Sequence, residues 1–119
     1  MIPIDKFGIT FISTHLDHSS SEVRSVQIQT INKIVNELQH PVIIAGDFNA
    51  RPDSPEIEEG MKTFLQVCSD DYTIPSTHPR SKIDYIFCKP ADRWLKVESK
   101  TPVVTLSDHL PIISTIELR

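Results

Sequence analysis

Two cysteines, Cys68 and Cys88, are all the thiols this 119-residue chain carries, and their separation fits no metal-ligand spacing. Two thiols do not make the disulfide framework of a small secreted scaffold, so free and buried sulfhydryls are expected. No apolar run approaches the roughly 18 residues that suggest a membrane-crossing helix. The N-terminus, Met1-Ile2-Pro3-Ile4-Asp5-Lys6, lacks a basic stretch followed by an apolar one. No signal peptide is read there; the cytoplasm is the default compartment, and the sequence fixes no other. There are no repeats or low-complexity tracts. A basic face is missing too: the net charge is −4, and Lys33, Lys62, Arg80, Lys82, Lys89, Arg93, Lys96 and Lys100 are scattered. Phosphate neutralisation supplies most of the affinity of sequence-indifferent nucleic-acid binders. The charge balance therefore weighs against a nuclease of long duplex DNA and leaves a small or local phosphate substrate open.

What is present is an ordinary globular composition, 39 % hydrophobic and 24 % charged, with a length that suits one domain spanning 1–119. Phe7 to Thr14 alternates like a strand. Ser19 and Glu22 have capping-box spacing ahead of a helix reaching about Gln39. On that helix Val23, Val26, Ile31, Ile34, Val35 and Leu38 form an apolar face. Val42–Ala45 is a short continuous apolar run, which suits a strand buried on both faces. Ser54-Pro55 opens a second, short helix with Ile57, Met61, Phe64 and Leu65 on one side. After a polar loop over 69–82, Ile83–Cys88, a stretch near Leu95–Val104, and Pro111–Leu118 read as strands. The order predicts an α/β fold with one mixed sheet and helices on one face.

Chemistry-bearing residues gather where these strands meet loops, the usual place for a site on a rigid scaffold. Asp47 and Asn49 follow the buried strand and could reach one ligand, or could form an Asx turn. Gly46 beside them allows close approach of a phosphate or of a neighbouring backbone. Asp84 is a carboxylate in an apolar strand. Its burial costs several kcal/mol unless paired, so a histidine or a cation (Lys82 or Arg80) should face it. Asp108-His109 could bind a cation or orient water, or be a polar turn. His15 ends the first strand, where a structural role competes with a catalytic one. His18 could touch substrate or merely lead into the helix. His40, at a helix end, reads as structural. Thr77-His78-Pro79 belongs to the loop before Asp84.

Taken together, Thr14-His15-Leu16-Asp17-His18, Gly46-Asp47-Phe48-Asn49-Ala50 through Pro52-Asp53-Ser54, Ile83-Asp84-Tyr85-Ile86-Phe87 and Ser107-Asp108-His109-Leu110-Pro111 occur in the order of the endonuclease/exonuclease/phosphatase superfamily. The chain resembles that family from Phe7 to Leu118, with Ser13 standing where many relatives carry Asn. The resemblance implies half, the C-terminal half, of a four-layer α/β/β/α sandwich. It implies His15, Asp47, Asn49, Asp84 and His109 as catalytic residues. His15 would meet the scissile phosphate, Asp47 and Asn49 would orient the attacking water, and Asp84 would hold His109 as a base or phosphate-binding imidazole. It also implies Asp108, Asp47 and Asn49 as ligands of Mg²⁺ or Mn²⁺, and the expected substrate contacts are His18, Thr77 and Arg80.

The family's metal-binding Glu lies in the N-terminal half, and no candidate stands upstream of His15; Asp5 is too near the start. Weak metal binding and reduced or absent activity alone are therefore expected. The leading reading is a metal-dependent phosphoesterase acting on a phosphate ester. The alternative is a catalytically silent binding or assembly module on the same fold. A half-sandwich would bare Phe7, Ile9 and Phe11 together with Ile112, Ile116 and Leu118, and the expected remedy is a homodimer through the sheet face or the missing N-terminal half.

Overall fold

The computed structural model describes residues 8–119. Strand β1 (Thr10–His15) leads through helix α1 (Ser21–Glu37) into β2 (Val42–Asp47). Helix α2 (Pro55–Glu58) and the two-residue β3 (Leu65–Gln66) precede β4 (Asp84–Lys89), β5 (Trp94–Lys100) and β6 (Ile113–Leu118). The first four strands form a mixed sheet in the order β1-β2-β4-β3. β1 and β2 are parallel, as the α1 crossover requires, while β4 is antiparallel to both β2 and β3.

Alternation along the strands separates two cores. Val42 and Ile44 of β2 and Tyr85 and Phe87 of β4 join Ile28 and Val35 of α1 with Ile57, Met61 and Phe64 in the larger one. Phe48 stands edge-on to Tyr85 and Phe87, with ring centroids 5.4 and 5.3 Å away. Val67, Cys88 and Trp94 make the smaller core, against Ile43, Ile86, Ile116 and Leu118. Both cysteines are free and buried, and burial pushes the Cys88 thiol up to about 12.

Several expectations are corrected. The sheet does not run on through the last strands: β3 occupies the outer edge of β4, and β5 and β6 pair with each other as a separate two-stranded sheet. The α1 cap is Ser20, whose Oγ accepts from the Val23 amide at 3.2 Å, while Ser19 bonds Asp17. The inward face of α1 is Ile28, Ile31 and Val35, with Leu38 just past its end; Val23, Val26 and Ile34 are exposed. Ile9 and Phe11 are exposed, but Ile116 and Leu118 pack in the smaller core and Ile112 against the larger one. Phe7 lies outside the described residues. Among those residues no helix is long and apolar enough to cross a membrane.

Candidate active site

Three strands bring their candidate site residues to one level of the sheet. His15 is the register partner of Asp47 across the parallel pair, and Asp47 is the partner of Asp84 across the antiparallel pair. Directly opposed residues point to the same side of a sheet. His15, Asp47 and Asp84 thus share the side that also carries Phe11 and Ile43, away from α1. The close approach of β1 explains Gly46: with φ of 152°, a Cβ there would lie 1.9 Å from the Thr14 carbonyl oxygen. A neighbouring backbone, rather than a phosphate, occupies the space the missing side chain leaves.

Asp47 makes the Asx turn and also faces the open end of the sheet. Its Oδ1 accepts the Asn49 amide at 2.8 Å, an Asx turn. Its Oδ2 faces two imidazoles, His15 Nε2 at 3.5 Å and His109 Nε2 at 3.7 Å. Those separations exceed a direct hydrogen bond and leave room for an oxygen atom bridging the groups. Asn49 is not on the strand: its φ of 50° turns the chain, and its Nδ2 donates to the Leu16 carbonyl at 2.7 Å. The side chain therefore ties the loop after β2 to the loop after β1.

Asp84 opens β4 and meets His109, not a cation: Oδ2 lies 2.8 Å from His109 Nδ1. Lys82 turns its ammonium to the Asp84 backbone carbonyl instead, and Arg80 is exposed. Burial lowers the pKa of His109, but the Asp84 hydrogen bond and the charges of Asp84, Asp47 and Asp108 outweigh it, and the pKa is raised. Ligand atoms of Asp47, Asp84 and His109 all lie within 4.8 Å of one another. Two carboxylates and an imidazole suit a hard divalent cation that keeps several waters. Asp108 is not in this group. Its carboxylate turns outward and accepts from Ser107 Oγ at 3.2 Å, so it acts on His109 through its charge. His18 is exposed in the loop before α1, and Thr77 and Arg80 are exposed in the loop before β4.

Residues with no motif of their own hold the His109 loop. Buried Ser76 donates its amide to the Asp108 carbonyl at 2.8 Å and its Oγ to the Ser107 carbonyl at 2.6 Å, and the Leu110 amide reaches the Thr73 carbonyl at 2.7 Å. A pocket of about 260 Å³ adjoins the group, bordered by Ala45, Asp47, Asp84, Ile86, Leu110 and Ile112. A larger cleft, about 610 Å³, lies between α1 and the segment around α2, away from this chemistry.

The model of the endonuclease/exonuclease/phosphatase family matches residues 8–109. The chain belongs to that family. Its fold is of the phosphoesterase type. A family protein from Bacteroides vulgatus is 27 % identical, with a TM-score of 0.77 over 92 % of this chain and 50 % of that one. A mannosyl-6-phosphatase from Bacteroides thetaiotaomicron is 18 % identical, with a TM-score of 0.74 over 91 % of this chain and 51 % of that one. The catalytic domain of human Nocturnin, solved with a bound sulfate, is 23 % identical, with a TM-score of 0.69 over 90 % and 46 %. No curated protein sequence matches significantly. The chain spans about half the length of the solved family structures it matches.

Proposed function

We propose that this chain is the C-terminal, site-bearing half of a divalent-metal-dependent phosphoesterase that hydrolyses a phosphate ester with an activated water. The observation that carries the reading is the Asp47 carboxylate set between the Nε2 atoms of His15 and His109, with His109 held by Asp84. Asp47 would accept a hydrogen bond from the attacking water and aim it. His15 and His109 would donate to phosphoryl oxygens, and the raised pKa of His109 keeps it cationic to higher pH than an ordinary histidine. Asp84 fixes the ring so that Nε2 faces the reacting group. Asp47 and Asp84 would hold Mg²⁺ or Mn²⁺. When bound, that ion offsets charge developing on the phosphoryl oxygens. Few protein ligands in this chain imply weak affinity without substrate.

The half-length match favours a second, accompanying proposal. The sheet face bearing Ile9 and Phe11 would be covered by a second copy or by the other half of the domain. If that cover also supplied site groups, the isolated chain would be slow or silent, and a binding or assembly module is the second reading. The test is hydrolysis of bis(p-nitrophenyl) phosphate and p-nitrophenyl phosphate with Mg²⁺ or Mn²⁺. Turnover that vanishes with chelator and in Asp47→Ala and His109→Ala supports the esterase. Turnover that persists in both variants rejects this site. No turnover from a folded dimer supports the silent module.

A further inference from the structure

We propose that Lys82 is a positioning residue for the Asp84–His109 pair. The role rests on reading those two as site residues, though its test needs no turnover. Lys82 is 1 % exposed. An ammonium loses strong hydration on burial, at a cost of several kcal/mol. Among the described residues no carboxylate lies within 4 Å of it as a counter-charge. Its three donor directions are used on neutral groups: the Asp84 carbonyl at 2.9 Å, the Cys68 sulfur at 3.4 Å and the Tyr85 ring face, 4.8 Å to its centroid.

The backbone of β4 explains why a cation sits here. β3 pairs with β4 through Leu65↔Cys88 and Gln66↔Phe87, and the Val67 amide still reaches the Ile86 carbonyl at 2.9 Å. There the ladder stops. The Ile86 amide donates to Cys68 Sγ at 3.3 Å, and the Ser69 amide turns away to Ser99 Oγ. Carbonyls two residues apart on a strand face the same neighbour, so the Asp84 carbonyl points to the edge that β3 has left. Lys82 fills the place of the lost strand. A buried backbone acceptor must be paired, and this one belongs to the residue whose carboxylate holds His109. The adjacent Tyr85 hydroxyl donates to the Ala50 carbonyl at 2.7 Å, tying the same stretch of β4 to the loop that follows Asp47. Lys82 thus fixes the backbone from which the Asp84 carboxylate is aimed.

The test is the tautomer of His109, read by two-bond ¹H–¹⁵N correlation above the histidine titration range and assigned with His109→Gln. The hydrogen bond to Asp84 demands a proton on Nδ1. Wild type and Lys82→Arg, which keeps the cation, are expected to show the Nδ1–H form. Lys82→Met, which keeps the bulk, is expected to shift toward Nε2–H. An unchanged tautomer in folded Lys82→Met overturns the proposal. In the wild type the Lys82 ammonium should give a slowly exchanging signal coupled to the Asp84 carbonyl; exchange at the rate of a solvated lysine overturns it even if the Met variant does not fold. Where turnover is measurable, kcat should fall about tenfold to a hundredfold in Lys82→Met with little change in KM, the signature of a displaced reacting group. Absence of turnover in the wild type with the expected tautomers favours the silent module and leaves the role of Lys82 standing.

Discussion

Replacing Asp84 with Asn isolates the charge in one hydrogen bond of the site. Asn keeps an acceptor of nearly the same shape, so the ring can still be met at Nδ1. In the native protein burial pulls the His109 pKa down, while the hydrogen bond and charge of Asp84, with Asp47 and Asp108 behind it, push it up and prevail. A histidine whose pKa is raised by folding contributes its stabilisation in full below the unfolded value of about 6.5. That contribution is lost as pH rises through the folded pKa. Hydrogen bonds to charged groups contribute about 1.5–3 kcal/mol, and neutral ones about 0.5–1.5 kcal/mol. The contact is 2.8 Å, with side chains 27 % and 15 % exposed, so solvent screening takes only part of it. Asp84→Asn should therefore lower stability by about 1.5–3 kcal/mol near pH 5 and by less near pH 9 in metal-free solution, where the imidazolium charge is gone and only the hydrogen bond to the carboxylate is left to lose. Urea unfolding at both pH values measures the difference. A loss that stays constant or grows as pH rises refutes the reasoning.

Arg24→Met strands the Glu56 carboxylate, which is 2 % exposed and 2.9 Å from Arg24 Nε, and should cost about 3–5 kcal/mol at neutral pH. Burial raises the Glu56 pKa, but its backbone hydrogen bond and Arg24 bring it below the ordinary value of 4.5. The pair's stabilisation is thus present above about 4.5 and fades as pH falls through the folded value, so the penalty of Arg24→Met should shrink in acid urea titrations. Gly46→Ala drives a Cβ into the Thr14 carbonyl and should cost about 3 kcal/mol or more, or prevent folding, as read by thermal unfolding. If a second copy covers the β1 face, Phe11→Lys should shift sedimentation from dimer to monomer; dimers persisting in the variant reject the β1 face as the interface.

The strand ends were legible because short apolar runs broken by Asp, Asn or His need only local chemistry to be read. The register that levels His15, Asp47 and Asp84 was not, since it depends on how three separated strands slide past one another. β3 is two residues long and leaves no periodic signal. The cap at Ser20 rather than Ser19 reflects Asp17, whose carboxylate accepts the Ser19 and Ser20 amides and starts the helix one residue later. Lys82 was read only as a possible partner of the Asp84 carboxylate; its burial was not legible, because lysine is almost never fully buried without a charged partner, and no pattern in Arg80-Ser81-Lys82 marks a cation whose partners are a carbonyl, a sulfur and an aromatic face. Ser76 and Thr73 were equally silent, because their importance lies in which carbonyls and amides they meet.

The placement of the site ties its chemistry to assembly. Odd-numbered residues of β1 share one side of the sheet, so the row that ends in His15 begins with Phe11, just after Ile9, and these two are 64 % and 48 % exposed. His15 itself has a side chain 75 % exposed, whereas Asp47 and Asp84 beside it are 16 % and 15 % exposed. The site is thus walled on the side of β4 and the His109 loop and open on the side of β1. Any body that buried Ile9 and Phe11 would approach the open flank where His15 stands. If such a body binds, covering the apolar row and closing the site are one event, and charging Phe11 should then weaken whatever metal-dependent turnover the proposed esterase has, even though Phe11 touches none of the site residues named above.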